Sequence, residues 1–370
     1  MPNVLSPHEN WAVLKTVFPQ DWEALAIEKK ALVRKLRSFK DTESVMRTLL
    51  LHVANGYSLR ETVTRAKLSN LADVSDVALL KRLQCAEEWF KALCLKMLRE
   101  RGIQGERAPS DAIEIRIVDG TIVKEPGKTG SQWRVHYSIR LSDLHCDYFK
   151  LSAYEGEDTG ESFKQFPVKK GECIIGDRAY STQQGIAYLS KKGAYSLVRV
   201  NTGALKFYEI GSEKKFDLLD KLKSLQTTNL SDEWRVKIQS PQEGEIEGRL
   251  CVVRKSETAA ELAIAKIKRQ AKKRQREIKP ETLEYARYVI IFTTLPIENF
   301  PTCSVLEGYR LRWQIELVFK RLKSLAEFGH LPKYDDTSAR AWLYGKLFVG
   351  LLTEKLVNYA RALSPWGYEQ

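Results

Sequence analysis

The chain is 370 residues long, 43% hydrophobic and 10% aromatic, enough for two or three packed domains and incompatible with wholesale disorder. Its formal net charge of +13 points to a polyanionic partner, nucleic acid foremost, although a basic enzyme without one would have the same composition. No uncharged run approaches the ~18 apolar residues of a membrane span, so no membrane partner is expected. Met1-Pro2-Asn3-Val4 begins neither a basic nor an apolar signal segment. Cys85, Cys94, Cys146, Cys173, Cys251 and Cys303 form no C-x-x-C pair, and the histidines are scattered. That usage reads as free thiols in a reducing cytoplasm, not as a disulfide framework or a zinc site.

Residues 1–105 read as all-helical. Leu25, Leu32, Val33 and Leu36 recur at helical spacing between Glu23 and Phe39. A second helix starts at Thr42, carries Val45, Met46, Leu49, Leu50 and Val53, and ends at Asn55-Gly56. Ser58-Leu59-Arg60-Glu61 has the form of a capping box opening a short helix to Ala66. A polar turn, Lys67-Leu68-Ser69-Asn70, and a long helix through Leu79, Leu83, Trp89, Phe90 and Leu98 follow. Short helix, turn and second helix suit a DNA-reading helix-turn-helix and a plain helical bundle alike.

At Asp111 the period changes from 3.6 to 2. Ile113, Ile115 and Ile117 alternate with charged residues and lead into Val118-Asp119. Trp133 to Leu141 and Tyr148 to Tyr154 give two more strands, with a short helix expected near Gly160–Phe166. Cys173-Ile174-Ile175 is a short apolar strand running into Gly176-Asp177, followed by a helix from about Thr182 and the strand Tyr195–Val200. Three meander strands, helix, strand, helix, strand make an α/β domain with a mixed sheet. Residues 203–287 interrupt this pattern with strand-like runs and a basic helix, and read as a β-rich insertion. The strand Tyr288–Leu295 resumes the domain, so the core comprises 106–202 and 288–370. It ends in a helix near Ser338–Leu363 that is expected to pack on the core.

Asp119 and Asp177 each close a strand, where α/β sheets present ligands, and hard oxygen donors suit magnesium or manganese. An Asp-Gly pair also simply begins a turn. The helix expected over about 304–325 adds a third carboxylate. At about 100° per residue, Tyr309, Arg312, Glu316, Lys320 and Lys323 fall within an arc of roughly 80°, opposite Leu311, Ile315, Val318, Phe319, Leu322 and Leu325. Solvated ion pairs Arg312–Glu316 and Glu316–Lys320 would produce the same face.

These residues coincide with a known pattern. Tyr309-x2-Arg312-x3-Glu316-x6-Lys323 resembles the Y-x2-R-x3-E-x6-K signature of bacterial DDE transposases of insertion sequence family four. Asp119-Gly120-Thr121 and Gly176-Asp177-Arg178-Ala179-Tyr180 resemble its two aspartate motifs, and the long gap before Glu316 matches the β-rich insertion of that family. The resemblance implies a ribonuclease-H-like core in which Asp119, Asp177 and Glu316 hold two divalent ions, magnesium with manganese as substitute. It implies that Tyr309, Arg312 and Lys323 grip phosphates of double-stranded transposon ends, with Lys320 as a helper. The family cuts at inverted-repeat ends, commonly through a hairpin, and joins the 3′ ends to target DNA. A homodimer on paired ends is the expected assembly, although the chain stops at Gln370, which leaves little room for a C-terminal dimerisation domain. A nuclease without strand transfer and a silent end-binding repressor are the rival functions.

Lys266, Lys268, Arg269, Lys272, Lys273, Arg274, Arg276 and Lys279 face one acid, Glu277, in a single stretch, and read as a contact to the DNA backbone rather than a solvated helix face. Gly127-Lys128-Thr129 lacks the first glycine of a P-loop and reads as a hairpin turn. His136 reads as structural and Trp313 as packing. Trp234 suits either core packing or stacking on an unpaired base.

Overall fold

The structure, a computed structural model, describes residues 7–32, 38–104, 113–124, 132–142, 146–156, 159–225, 231–241, 243–313, 315–316 and 335–362. Its described helical part opens with α1 (Pro7–Lys15), α2 (Trp22–Glu28), α3 (Thr42–Asn55), α4 (Leu59–Leu68), α5 (Asp76–Cys85) and α6 (Glu87–Gln104). α3 has the expected ends: Asp41 caps the Ser44 amide, and Gly56 turns left-handed at φ 68°. The helix expected from Glu23 to Phe39 stops at Glu28. The chain turns at Lys30 (φ 56°), and Arg82 takes the Ala31 carbonyl at 2.7 Å. The expected long helix is two, α5 and α6, broken at Ala86. Ser58 caps Glu61 as expected, but Glu61 spends its carboxylate on Arg65. The link between α4 and α5 is longer than the ~3–4-residue turn of a helix-turn-helix.

The sheet has eight strands in the order β3-β2-β1-β4-β5-β8-β7-β6. β1 (Ile115–Lys124), β2 (Gln132–Arg140) and β3 (Cys146–Ala153) form an antiparallel meander. β4 (Cys173–Gly176) joins β1 in parallel, and β5 (Tyr195–Arg199) joins β4 in parallel across the helix α7 (Gln183–Lys191). A meander widened by two parallel strands is the ribonuclease-H-like arrangement. Between 203 and 287 come α8 (Leu218–Ser224), β6 (Ser231–Ser240), β7 (Gly244–Arg254), α9 (Glu257–Arg274) and α10 (Pro280–Tyr285). β6 and β7 extend the same sheet through β8 (Tyr288–Thr293), which pairs antiparallel with both β5 and β7. Instead of the short helix near 160–166 there is a single 3-10 turn, Phe163–Gln165, capped by Ser162.

Alternation along β1 sends Ile117 to one face and Val118 to the other. The Ile117 face packs with Leu197, Ile291 and the helical layer, including Trp89, Phe90 and, from the C-terminal helix α12 (Asp336–Ala362), Trp342, Leu347 and Phe348. The Val118 face packs under Phe163, Phe166, Tyr180, Ile186 and Leu222. The cysteines are free, and no helix among the described residues is long and apolar enough to cross a membrane.

Candidate active site

β1 and β4 run side by side with Ile117 opposite Ile175, so Asp119 and Asp177 stand two residues further along neighbouring parallel strands. Adjacent strands lie about 4.8 Å apart, which brings the two carboxylates into one place. β1 continues to Lys124 whereas β4 has ended at Gly176. Asp119 therefore projects beside an open strand end. Its Oδ1 accepts the Gly120 amide at 2.8 Å. Asp177 caps the 3-10 turn Arg178–Tyr180, accepting the Ala179 amide at 2.8 Å. Gly176 is required here: a Cβ would stand 2.7 Å from Cβ of Tyr180 and 2.9 Å from the Phe163 ring.

The third carboxylate lies beyond α11 (Thr302–Arg310). The helix expected over 304–325 is not continuous. After Arg310 the amides of Leu311, Arg312 and Ile315 bond three residues back, which tightens the turn. The predicted face survives in part. Arg312 donates to Glu316, and its guanidinium lies 5.9 Å from the Tyr309 ring. Val305 and Ile315 are buried on the Ile117 side of the sheet. Lys320 and Lys323 lie outside the described residues.

Burial pushes the Asp119 carboxyl up to about 7, with Asp177 and Glu161 adding like charge; the Gly120 amide and Arg312 act in the opposite sense. Burial works against the Arg312 charge, but Glu316, Tyr309 and Asp119 raise its pKa overall. Arg312 is thus a cation held between two of the expected metal ligands. A second basic group flanks Asp177. Burial lowers Lys255 to about 8, helped by Arg199 and Arg178, and burial with Arg199 also lowers Arg178. Sequence patterns single out none of Arg199, Lys255 and Glu161; Arg178 enters only as part of the second aspartate motif. Arg178, Arg199, Lys255 and Glu161 come from four separate segments, and only the folded sheet brings them to one end.

A divalent cation suits oxygen donors of this type. Asp119 and Asp177 fit it: they are adjacent carboxylates whose mutual repulsion a cation would relieve. Glu316 is turned to Arg312, and among the described residues no three His, Cys, Asp or Glu side chains are grouped to hold a metal.

Of the basic stretch, Lys266, Lys268, Arg269, Lys272, Lys273 and Arg274 lie on α9, where Ala260 is the one buried residue. The helix stops at Gln275 (φ 51°), so Arg276 and Lys279 belong to the connection to α10 rather than to a single basic helix. Among the described residues these eight cations make no ion pair, and all are exposed. His136 is buried, bonded to Ser152 at 2.9 Å, and pushed down to about 4 by burial, Arg134 and Lys150. Trp234 packs on Phe216. Trp313, expected to pack, is 48% exposed; at about 100° per residue it falls beside the polar face that begins at Tyr309.

A family model described as the transposase DDE domain matches residues 155–352, a stretch that contains Asp177 and Glu316 and begins after Asp119. The transposase for insertion sequence element IS421 of Escherichia coli is 29% identical over 363 residues, 95% of this chain and 95% of that protein. The transposase for IS231F of Bacillus thuringiensis subsp. israelensis is 24% identical over 299 residues, 74% of this chain and 63% of its own. The piggyBac transposase, solved in a synaptic complex with hairpin DNA, aligns with 98% of this chain and 76% of its own at TM-score 0.45 and 10% identity. With the family's domain matching more than half of its length, the chain belongs to the DDE transposases, metal-dependent enzymes that cut and join DNA.

Proposed function

We propose that Asp119, Asp177 and Glu316 hold two magnesium ions, replaceable by manganese, and that the protein cuts transposon inverted-repeat ends and joins them to target DNA. When bound, the ions would activate a water or 3′-hydroxyl and take up charge on the leaving oxygen. The observation that carries the reading is the placement of Asp119 and Asp177 at adjacent parallel strand ends with Arg312 in the field of Asp119.

The chain's own residues have separable tasks. Asp119 must be ionised to act as a ligand, which its raised pKa delays to near neutral pH. Arg312 would leave Glu316 to fork onto a phosphate, with the Tyr309 ring below it. Lys320 and Lys323 would grip neighbouring phosphates. Arg178, in the field of Asp177, and its neighbours Arg199 and Lys255 would offer further cations to the same strand. The exposed cations from Lys266 to Lys279 would follow the backbone of flanking duplex, and the helical layer of residues 1–105 would add further DNA contact. Two chains on paired ends, working in the cytoplasm, complete the reading.

The test is cleavage of a labelled cognate end. Magnesium or manganese should support it and excess chelator should stop it. Unchanged cleavage in chelator would exclude the metal mechanism, and a wild type that binds ends without ever cutting would be a repressor.

A further inference from the structure

Directly after Asp119 comes a glycine, and the packing shows why. A Cβ at Gly120 would stand 3.0 Å from Cγ and 3.1 Å from Oε1 of Glu161. The Glu161 side chain fills the notch that the absent side chain leaves in β1. Alternation turns that notch to the Val118 face, where Phe163 and Tyr180 pack, whereas Ile315, beside Glu316, lies on the Ile117 face. Since β4 has ended at Gly176, no strand separates the notch from Asp177. Glu161 accordingly adds its charge to Asp119 and feels that of Asp177. It makes no hydrogen bond or ion pair among the described residues, although Arg134 stands near enough to ease its charge.

A second observation points to the same place. Tyr180 is wholly buried, and its hydroxyl has no hydrogen-bond partner. The charges of Asp119, Glu161 and Asp177 all act on that hydroxyl. A buried hydroxyl is seldom left unsatisfied, and one set among three carboxylates is matched by an ordered, cation-bound water that both can contact.

We infer that Glu161 is a fourth carboxylate of the divalent-cation site, entering from the sheet face opposite Glu316 and, with the Tyr180 hydroxyl, holding water bound to the cation. The inference rests on Asp119 and Asp177 forming that site. Glu161 is a positioning residue: it acts on the cation through water, and its charge strengthens cation binding by the Asp119–Asp177 pair.

The test is manganese binding to the full chain without DNA, read from the electron-spin signal of free Mn2+. Glu161→Gln keeps the size of the side chain and removes its charge. Outer-shell partners of a metal typically contribute about 10- to 100-fold in affinity, and a loss of that order is expected. Melting temperature in chelator should be no lower than the wild-type value, since the variant removes a carboxylate that burial and Asp177 disfavour, and Glu161→Asp should restore part of the binding. Tyr180→Phe, which leaves the ring packing intact, should weaken binding several-fold and serves if Glu161→Gln does not fold. Wild-type affinity in Glu161→Gln or Tyr180→Phe beside clear loss in Asp177→Asn would overturn the inference and leave the metal site standing. Wild-type affinity in Asp177→Asn as well would refute the metal site itself, and the inference with it.

Discussion

Arg312 reaches one turn along the chain to Glu316, and the pair is unequal: the Arg312 side chain is 19% exposed and the Glu316 side chain 57%. The half-buried cation lies beside the Tyr309 ring and in the field of Asp119, while the carboxylate it holds faces water. On the proposed roles, releasing Glu316 to a metal and releasing Arg312 to a phosphate would be one event. Glu316→Gln should keep affinity for end DNA and lower cleavage on the order of a thousandfold, equivalent to about 4 kcal/mol of lost charge stabilisation. Arg312→Ala should weaken end binding and also slow cleavage at saturating DNA. Gel-shift affinity beside end cleavage separates the two, and equal behaviour of both variants would contradict these separate tasks.

The Asp119 carboxyl, pushed up to about 7 chiefly by burial, makes metal-free stability depend on pH. In the unfolded chain a carboxyl loses its proton near pH 4, so between about 4 and 7 the native state alone holds it. Stability in chelator should therefore fall as pH rises through that window. Asp119→Asn should gain on the order of 2–4 kcal/mol over wild type at about pH 8 and nothing at about pH 4. Denaturant melts across pH measure this, and a wild-type stability flat through the window would contradict the assignment.

The basic stretch at the end of α9 offers its cations to solvent without ion-pair partners among the described residues. Neutralising Lys272, Lys273, Arg274 and Arg276 should weaken binding to all duplex sequences alike. Each phosphate contact adds about −0.9 to the slope of log K against log salt, so the slope should flatten by roughly 3 to 4 units. An unchanged slope in a salt titration would return the stretch to a solvated surface.

Gly176 sits against two fully buried rings, with 2.7 Å between a would-be Cβ and Tyr180. Gly176→Ala should cost about 1–3 kcal/mol by overpacking and shift Asp177, which follows directly. A lowered melting temperature with lost cleavage is expected, and a variant as stable and active as wild type would show that the turn can give way.

Much of this arrangement is legible in the sequence because its signals are local. Asp41, Ser44 and Gly56 mark the ends of α3, and the period-2 run through Ile113, Ile115 and Ile117 leads to Asp119. Gly176-Asp177 follows an apolar run short enough to be a buried strand. Long-range pairing is not encoded locally. Nothing in Trp234–Gln239 or Arg249–Arg254 tells that β6 and β7 extend the main sheet rather than stand apart. The turn after Arg310 interrupts the helix that a count at a fixed angle per residue assumes. Glu161 lies in a loop without periodicity, and its position has meaning only once Gly120 is seen to leave room for it.

The central claim, that carboxylates at adjacent strand ends drive metal-dependent cutting, is tested most directly by single-turnover cleavage on pre-bound end DNA with magnesium, comparing wild type with Asp119→Asn and Asp177→Asn. Both variants should bind the end as tightly as wild type and yield no cleaved product over the full time course. Cleavage by either variant at the wild-type rate would contradict the account.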